Sequence, residues 1–521
     1  MEGRGAAVNV DTSEVLRQCA RCGVPLSRYN LEPTCARCTH ADEAIATAGE
    51  WLSRPSAAPA NDTGAVLRAW RASTGHSQVE TARLLGMTQQ NLSQIENGRQ
   101  TMSYELRQRA VSVLGISAED LGLSPGRPRT ELDAAVAIDQ ARWRQERRWL
   151  NQHRSELARL AVELYPAEHR VPDTPLIASP GWIPDQPIEL RSLRLTLDEQ
   201  PHAVALDGCE AETLPTRPLC AAGQWFDSYT SAIRHLDPPR LFESRPSYRL
   251  LGEQLGAGSL HFGLAAYFDK IDVSEALGHE LAIACLRQEN GLPDLVEPLR
   301  DALPFRTVIG DPFDPHRRAV IPAVTTLTIR LRRYPAEPSF LLHWRDPAKV
   351  ATAAGVYDVI PAGEFQPASV ALWDRRNDFD LWRNIVREYS EELLGTPEHD
   401  GTRSKPIDYD SWPLYRELED AQAAGAVVPF VLGLGLDALT LAATILTVVV
   451  IDDDVFTRAF GAATRYNEEG EIVAIGDGRV TEGVPFTGES VRRMLGCEPM
   501  ASPGAACLAL AWCHRDRILG L

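Results

Sequence analysis

Between Ser77 and Gly98 the chain spells out two short helices with a hard stop between them, and few folds accept that pattern. Ser77 with Glu80 makes a capping box, in which the hydroxyl accepts the Glu80 amide while the carboxylate reaches back. The first helix, over residues 77–86 (SQVETARLLG), ends at Gly86 because the turn there needs a positive φ. Thr88 caps a second helix over residues 89–97, which Gly98 closes. Ala82, Gly86 and Leu92 fall at spacings of four and six, so the two helices can cross closely with Leu92 and Ile95 facing a core.

The outward positions of the second helix are Gln89, Gln90, Asn91 and Gln94. All are carboxamides, able to pair a donor and an acceptor with adenine N6 and N7 for about 1–3 kcal/mol of discrimination each. A helix that merely fills a core could carry polar residues there by chance. Three glutamines and an asparagine behind a threonine cap instead mark a helix that reads the major groove of double-stranded DNA. The stretch 65–123, and TQQNLSQIENG above all, resembles the Cro/repressor (XRE) helix-turn-helix family and lies close to the reading helix of lambdoid phage repressors. The resemblance implies a five-helix, all-α domain over residues 62–124, with Gln89, Gln90 and Gln94 at base edges. It places Gln78 and the turn from Asn97 to Arg99 at phosphates, and it pairs Arg71 with Glu96 inside the domain. Between Leu67 and Leu123 arginines and carboxylates nearly cancel. Non-specific affinity is therefore expected to be weak, leaving specificity to the carboxamides and to a homodimer on a two-fold site.

The rest of the molecule is not drawn to nucleic acid by bulk charge, since the formal net charge is −18. An apolar fraction of 44% with 24% charged residues is globular composition, and 521 residues exceed one core, which suggests three or four domains. Lysine stands only at positions 270, 349 and 405, a bias read first as the mark of a GC-rich, actinobacterial genome. The first residues (MEGRGAAVNVDTSE) carry no apolar core of a secretory signal. The longest apolar stretch, 425–451, is interrupted by Pro429, Gly433, Gly435 and Asp437, leaving pieces short of the ~20 residues a membrane span needs. Its second half, TILTVVVI, reads as a buried strand. A soluble, cytoplasmic protein with no membrane partner is expected.

Four of the ten cysteines lie at 19, 22, 35 and 38. Two CxxC turns separated by twelve residues put paired sulfurs where they can close a tetrahedron around zinc at ~2.3 Å. Two disulfides or free thiols are the alternative, which a reducing cytoplasm disfavours. Residues 15–45 are thus expected to form a small zinc ribbon in which Cys19, Cys22, Cys35 and Cys38 hold a structural Zn2+. A Pro/Ala linker (54–61) separates it from the helical domain, and a second linker (123–129) precedes a long amphipathic pattern over 131–164. That pattern, within a segment 127–168, is expected to space or dimerise the protein. Residues 170–310 mix short strands with helices, and no role is legible in them. Their His279-Glu280 pair lacks the second histidine of a zincin helix, since Ile283 stands in its place. Gly122-Leu123-Ser124-Pro125-Gly126 fits a serine-elbow spacing, but Pro125 and the lack of a preceding strand exclude one.

From about residue 315 to 521 strand and helix alternate. Residues 325–332 and 340–344 alternate as two strands, and 356–363 (VYDVIPAG) end in a Pro-x-Gly turn. A helix over 379–394 then presents Glu388, Glu391 and Glu392 at i, i+3 and i+4. Carboxylates so placed repel unless a cation lies over them, and Mg2+ is a natural compensator. A solvated helix face is the plainer reading. The order of strands, Pro361-x-Gly363 and R-E-Y-S-E-E resemble the Nudix box. The resemblance implies that Glu388, Glu391 and Glu392 hold Mg2+, with Arg387 orienting them and Glu391 and Glu392 catalytic if the site is active. Three departures stand: an insertion between Gly363 and Arg387, no counterpart of the first glutamate (Asp378 and Asp380 are out of register), and two residues rather than one before Gly395.

The expected architecture is multidomain: a zinc ribbon, an all-α helix-turn-helix domain, a linker helix and a C-terminal α/β Nudix-like domain. The leading expectation is a sequence-specific transcriptional regulator whose C-terminal half senses a phosphorylated metabolite or nucleotide. The alternatives are a Mg2+-dependent pyrophosphohydrolase tethered to DNA and a catalytically dead interaction platform.

Overall fold

The computed structural model describes residues 63–97, 102–117, 120–121, 123, 131–200, 202–239, 242–288, 297–332, 337–345, 356–396, 405–461, 470–472 and 483–521. Cys19, Cys22, Cys35, Cys38 and Arg99 lie outside the described residues. The chain is multidomain, with a small helical unit that ends at Ala135 and a larger α/β unit over Val136–Leu521.

In the small unit, helices α1 (Thr63–Thr74), α2 (Gln78–Leu84), α3 (Gln89–Glu96) and α4 (Tyr104–Leu114) enclose Leu67, Ala82, Leu85, Leu92, Ile95, Ala110 and Leu114. These are four of the five helices that the repressor resemblance implies. The caps form as the sequence requires: Ser77 Oγ accepts the Glu80 amide at 3.2 Å, and Glu80 accepts the Ser77 amide at 2.7 Å. Gly86 takes φ +66°, where an L side chain is strained. At Gly64 a methyl group would stand 2.3 Å from the Ile95 carbonyl oxygen, so α1 meets the end of α3 backbone to backbone.

The amphipathic pattern over 131–164 is two helices, α5 (Glu131–Gln152) and α6 (Arg154–Val162), which part at His153. Its ring stacks on Trp149 with centroids 4.4 Å apart. Trp143, Leu150 and Leu157 are buried in the core of the large unit, so this apolar stripe is packed within its own chain.

Short strands β1 (Leu176–Ile177), β2 (Ile188–Glu189) and β3 (Arg194–Leu197) come next, then helix α7 (Tyr229–Leu236). Strands β4 (Pro246–Gln254) and β5 (Ser259–Ala266) lead into the buried helix α8 (Tyr267–Leu286). The second half contributes β6 (Pro322–Leu331), β7 (Ser339–Phe340), β8 (Leu342–Arg345), β9 (Tyr357–Val359) and β10 (Ala362–Glu364), followed by helix α9 (Leu381–Glu392). A hairpin of β11 (Val427–Asp437) and β12 (Ala443–Asp452), strands β13 (Gly470–Ile472) and β14 (Val484–Pro485), and helix α10 (Ser502–Cys513) complete the set used below.

The main sheet is curled and mixed, in the order β1–β11–β12–β6–β7–β14, with β10 also on β6 and β2 also on β11. Smaller sheets run β9–β8–β13 and β3–β5–β4. Because β1 and β2 pair with β11, the regions 170–310 and 315–521 share one sheet and one core. The apolar stretch 425–451 is the β11–β12 hairpin, its register slipping between Val431 and Gly433. Among the described residues no helix is long and apolar enough to cross a membrane.

At the sheet's centre β6 and β12 run parallel, buried on both faces. Their threonines satisfy each other: Thr326 Oγ1 meets Thr447 Oγ1 at 2.8 Å, and Thr444 Oγ1 donates to Thr325 Oγ1 at 3.0 Å. Thr328 meets the Tyr389 hydroxyl at 2.7 Å, fastening α9 to the sheet. Hydroxyls left alone there would each cost about 1–3 kcal/mol.

Candidate nucleic-acid interface and the acidic helix

Helix α3 is positioned from both ends. Thr88 Oγ1 accepts the Asn91 amide at 3.2 Å, while Leu92 and Ile95 anchor the inner face. Arg109 Nη1 donates to the Leu85 carbonyl at 3.1 Å and occupies the space beside Gly86, where a methyl group would stand 2.6 Å from it. The turn between α2 and α3 is thus held by a guanidinium from α4, which the sequence pattern did not reveal.

Glu96, 1% exposed at the end of α3, is the hub of the domain's polar network. Arg71 Nε and Nη2 donate to its two carboxylate oxygens at 2.6 and 3.0 Å, a bidentate pair, and Gln78 Nε2 donates to Oε2 at 2.7 Å. Burial alone would push this carboxyl up, yet the Arg71 and Gln78 hydrogen bonds prevail and hold it below the ordinary carboxylate value. The Arg71–Glu96 pair implied by the repressor resemblance is therefore formed.

The network continues outward, since Gln89 Nε2 donates to Gln78 Oε1 at 2.7 Å. Through the two ends of its amide Gln78 joins Glu96 to Gln89 and so orients Gln89. Gln90 and Asn91 are exposed, Gln94 is half-buried, and Asn97 Nδ2 donates to Ser93 Oγ at 3.3 Å. The carboxamide row is consequently graded: Gln89 is pre-set by the core through Glu96 and Gln78, while Gln90 and Asn91 project at the surface.

The second candidate site is the acidic helix α9. Asp380 caps it, accepting the Arg383 amide at 2.9 Å. Asp378, fully buried, accepts the Ala368 amide, Asn377 Nδ2 and the Tyr409 hydroxyl at 2.8, 2.9 and 2.8 Å. Both aspartates are thus spent on shaping the inserted loop. Arg387 is buried and donates from Nη2 to the Gln366 carbonyl at 2.7 Å.

Glu388 and Glu392 of the helix reach adjacent residues of the preceding strand. The Glu388 carboxylate lies flat on Gly363, where a methyl group would stand 2.1 Å from its Cδ. Glu392 Oε1 accepts the Ala362 amide at 3.2 Å. The Pro361-x-Gly363 turn and the acidic helix therefore meet. Sequence reasoning missed Glu364, directly after that glycine, which pairs with Lys270 of α8. Its Oε2 and the Oδ1 of the buried Asn384 have no hydrogen-bond partner. Among the described residues, no three His, Cys, Asp or Glu side chains are disposed to hold a metal ion.

Residues 62–122 match the family model of a helix-turn-helix domain. No curated protein matches the chain.

Proposed function

We propose that this chain is a sequence-specific DNA-binding transcriptional regulator whose α/β unit senses a phosphorylated or nucleotide-like ligand. One observation carries the DNA half: a capped helix, α3, presents Gln90 and Asn91 outward while a buried Arg71–Glu96–Gln78 chain sets Gln89 beside them. Preset carboxamides lose little side-chain freedom on binding, so their hydrogen bonds go into discrimination between bases. Arg99 belongs to the phosphate contacts in this reading. A homodimer on a two-fold operator supplies the remaining affinity, because the domain itself is nearly neutral. Cys19, Cys22, Cys35 and Cys38 hold a structural Zn2+ that folds the segment before it.

The sensor half rests on the contact of Glu388 with Gly363 and of Glu392 with Ala362, which repeats the strand-to-helix junction of the resemblance. Ligand binding regulates DNA affinity only if the ligand favours one of two states, since equal affinity for both shifts nothing. The same junction supports the second reading, a Mg2+-dependent pyrophosphohydrolase that uses Glu391 and Glu392. That reading needs those contacts to be rebuilt around a metal.

The test of the DNA half is selection of bound duplexes from a random pool, followed by binding of two variants. Gln90→Ala should relax base preference by about 1–3 kcal/mol at one position. Arg99→Ala should weaken all sequences about equally and flatten the salt dependence. No sequence preference in the zinc-loaded chain at moderate ionic strength would refute the regulator.

A further inference from the structure

A closed run of ionisable groups lies deep in the α/β unit, remote in sequence from both candidate sites. His279 on α8 is fully buried. Its Nδ1 meets the Tyr229 hydroxyl of α7 at 2.9 Å, and its Nε2 meets Glu146 Oε2 of α5 at 3.3 Å. Arg147 Nη1 donates to the same tyrosine oxygen at 3.4 Å and to Glu275 Oε2 at 3.2 Å. Arg154 of α6 donates to both oxygens of Glu275, at 3.1 and 3.0 Å.

The direction of each hydrogen bond follows from the chemistry. A guanidinium only donates, so the Tyr229 oxygen accepts from Arg147 and its hydrogen is directed at His279 Nδ1. Nδ1 therefore accepts, and Nε2 carries the hydrogen donated to Glu146. This arrangement fits a neutral imidazole in one tautomer. A proton added at Nδ1 would oblige the Tyr229 hydroxyl to turn its hydrogen away and accept there as well as from Arg147. It would also put a further cation beside Arg147 and Arg154, whose partners are Glu275 and Asp237, while Glu146 already lies 3.7 Å from Arg142.

The remaining charged groups around α8 are committed. Asp272 accepts the Thr230 amide at 2.6 Å, Glu280 accepts the Phe305 and Arg306 amides at 2.6 and 3.1 Å, and Asp237 accepts Arg147 Nε at 3.4 Å. Trp143 closes the side toward residues 211–216, donating to the Thr216 carbonyl at 2.9 Å.

We propose that the Arg147–Tyr229–His279–Glu146 relay is a proton-operated latch that holds helix α5 on helix α8. At neutral pH every member is paired and α5 is fixed. Acidification favours any opening that exposes His279, because the opened imidazole takes a proton that the latched one refuses. Burial pushes the His279 imidazolium well down, and the Glu146 hydrogen bond, which favours the charged form, does not offset it. The sign follows: the latch is at full strength above the ordinary histidine value of 6.5 and weakens as pH falls below it.

The experiment is amide hydrogen exchange of the full-length protein, followed on α5 peptides at pH 7.5 and 5.5 and corrected for intrinsic rate. Protection of α5 should fall about tenfold across that interval, the change expected when one proton is taken up on opening. His279→Gln keeps a donor and an acceptor but gains no proton, and its α5 protection should stay flat. Nitrogen shifts of the wild-type imidazole should show a neutral Nε2–H tautomer at pH 6. A pH-independent α5 in the wild type, or a charged His279 at pH 6, would overturn the proposal. The nitrogen shifts decide it even if the glutamine variant does not fold.

Discussion

Replacing Arg71 with methionine tests the core of the DNA-reading domain most directly. The guanidinium is 21% exposed and the Glu96 side chain 2%, so the change leaves an anion in the interior with the Gln78 amide and the more distant charge of Arg68 to stabilise it. Removing one partner of a buried pair costs about 3–5 kcal/mol, and the partial exposure of Arg71 puts this case near 3. For a domain of this size that loss lowers the midpoint of thermal unfolding by roughly 12–24 °C. The pH dependence should invert as well. In the wild type Glu96 is held below its ordinary value of 4.5, so its contribution is complete above that value and disappears as pH falls through the lowered one. In the variant burial is opposed only by the Gln78 hydrogen bond and the charge of Arg68, so Glu96 takes up a proton more readily in mild acid and part of the penalty is relieved. Hydrogen exchange of α1 and α3 amides in the full chain, at pH 7 and pH 5, reads both effects. Arg71→Met/Glu96→Gln should recover most of the loss. A single variant that loses under 1 kcal/mol, with no gain at pH 5, would show that the pair is not the hub described above.

Other outcomes follow from the remaining sites. Gly363→Ala puts a methyl group where the Glu388 carboxylate rests, and because that group ends a flexible side chain the loss of global stability in urea unfolding should stay under about 1 kcal/mol. Purified protein should carry one zinc per chain by elemental analysis, and Cys22→Ser or Cys38→Ser should lose it. A panel of nucleoside diphosphate derivatives should raise the midpoint of thermal unfolding without releasing phosphate. Turnover that disappears in both Glu391→Gln and Glu392→Gln would instead establish the hydrolase.

Much of the DNA-reading domain was legible because its signals are local. Ser77, Glu80, Gly86 and Thr88 act within a few residues, and the structure places each where its chemistry requires. Strand 325–332 and the helix around Arg387 were legible for the same reason, as β-branched alternation and a capped amphipathic run. The misses are all long-range. Pairing of residues 176–189 with β11 crosses more than 240 positions and leaves no periodicity to read. The break at His153 sits inside an otherwise continuous amphipathic pattern, and tertiary packing decides it. The ties of Gln78 to Glu96 and Gln89 were not legible, because only the fold brings those two residues to its amide. Glu364 escaped notice since its meaning depends on Lys270, ninety-four residues earlier.

The parallel register of β6 and β12 governs how this protein comes into being on the ribosome. Thr326 and Thr447 are 121 positions apart, so the sheet's centre cannot zip until Asp452 has been synthesised and a long intervening chain has been gathered in. The four helices ending at Leu114 need no such wait. A nascent chain therefore holds a finished reading head well before its α/β unit exists. In the reading proposed above, any control that the α/β unit exerts over DNA begins only once β12 has been made and has reached β6.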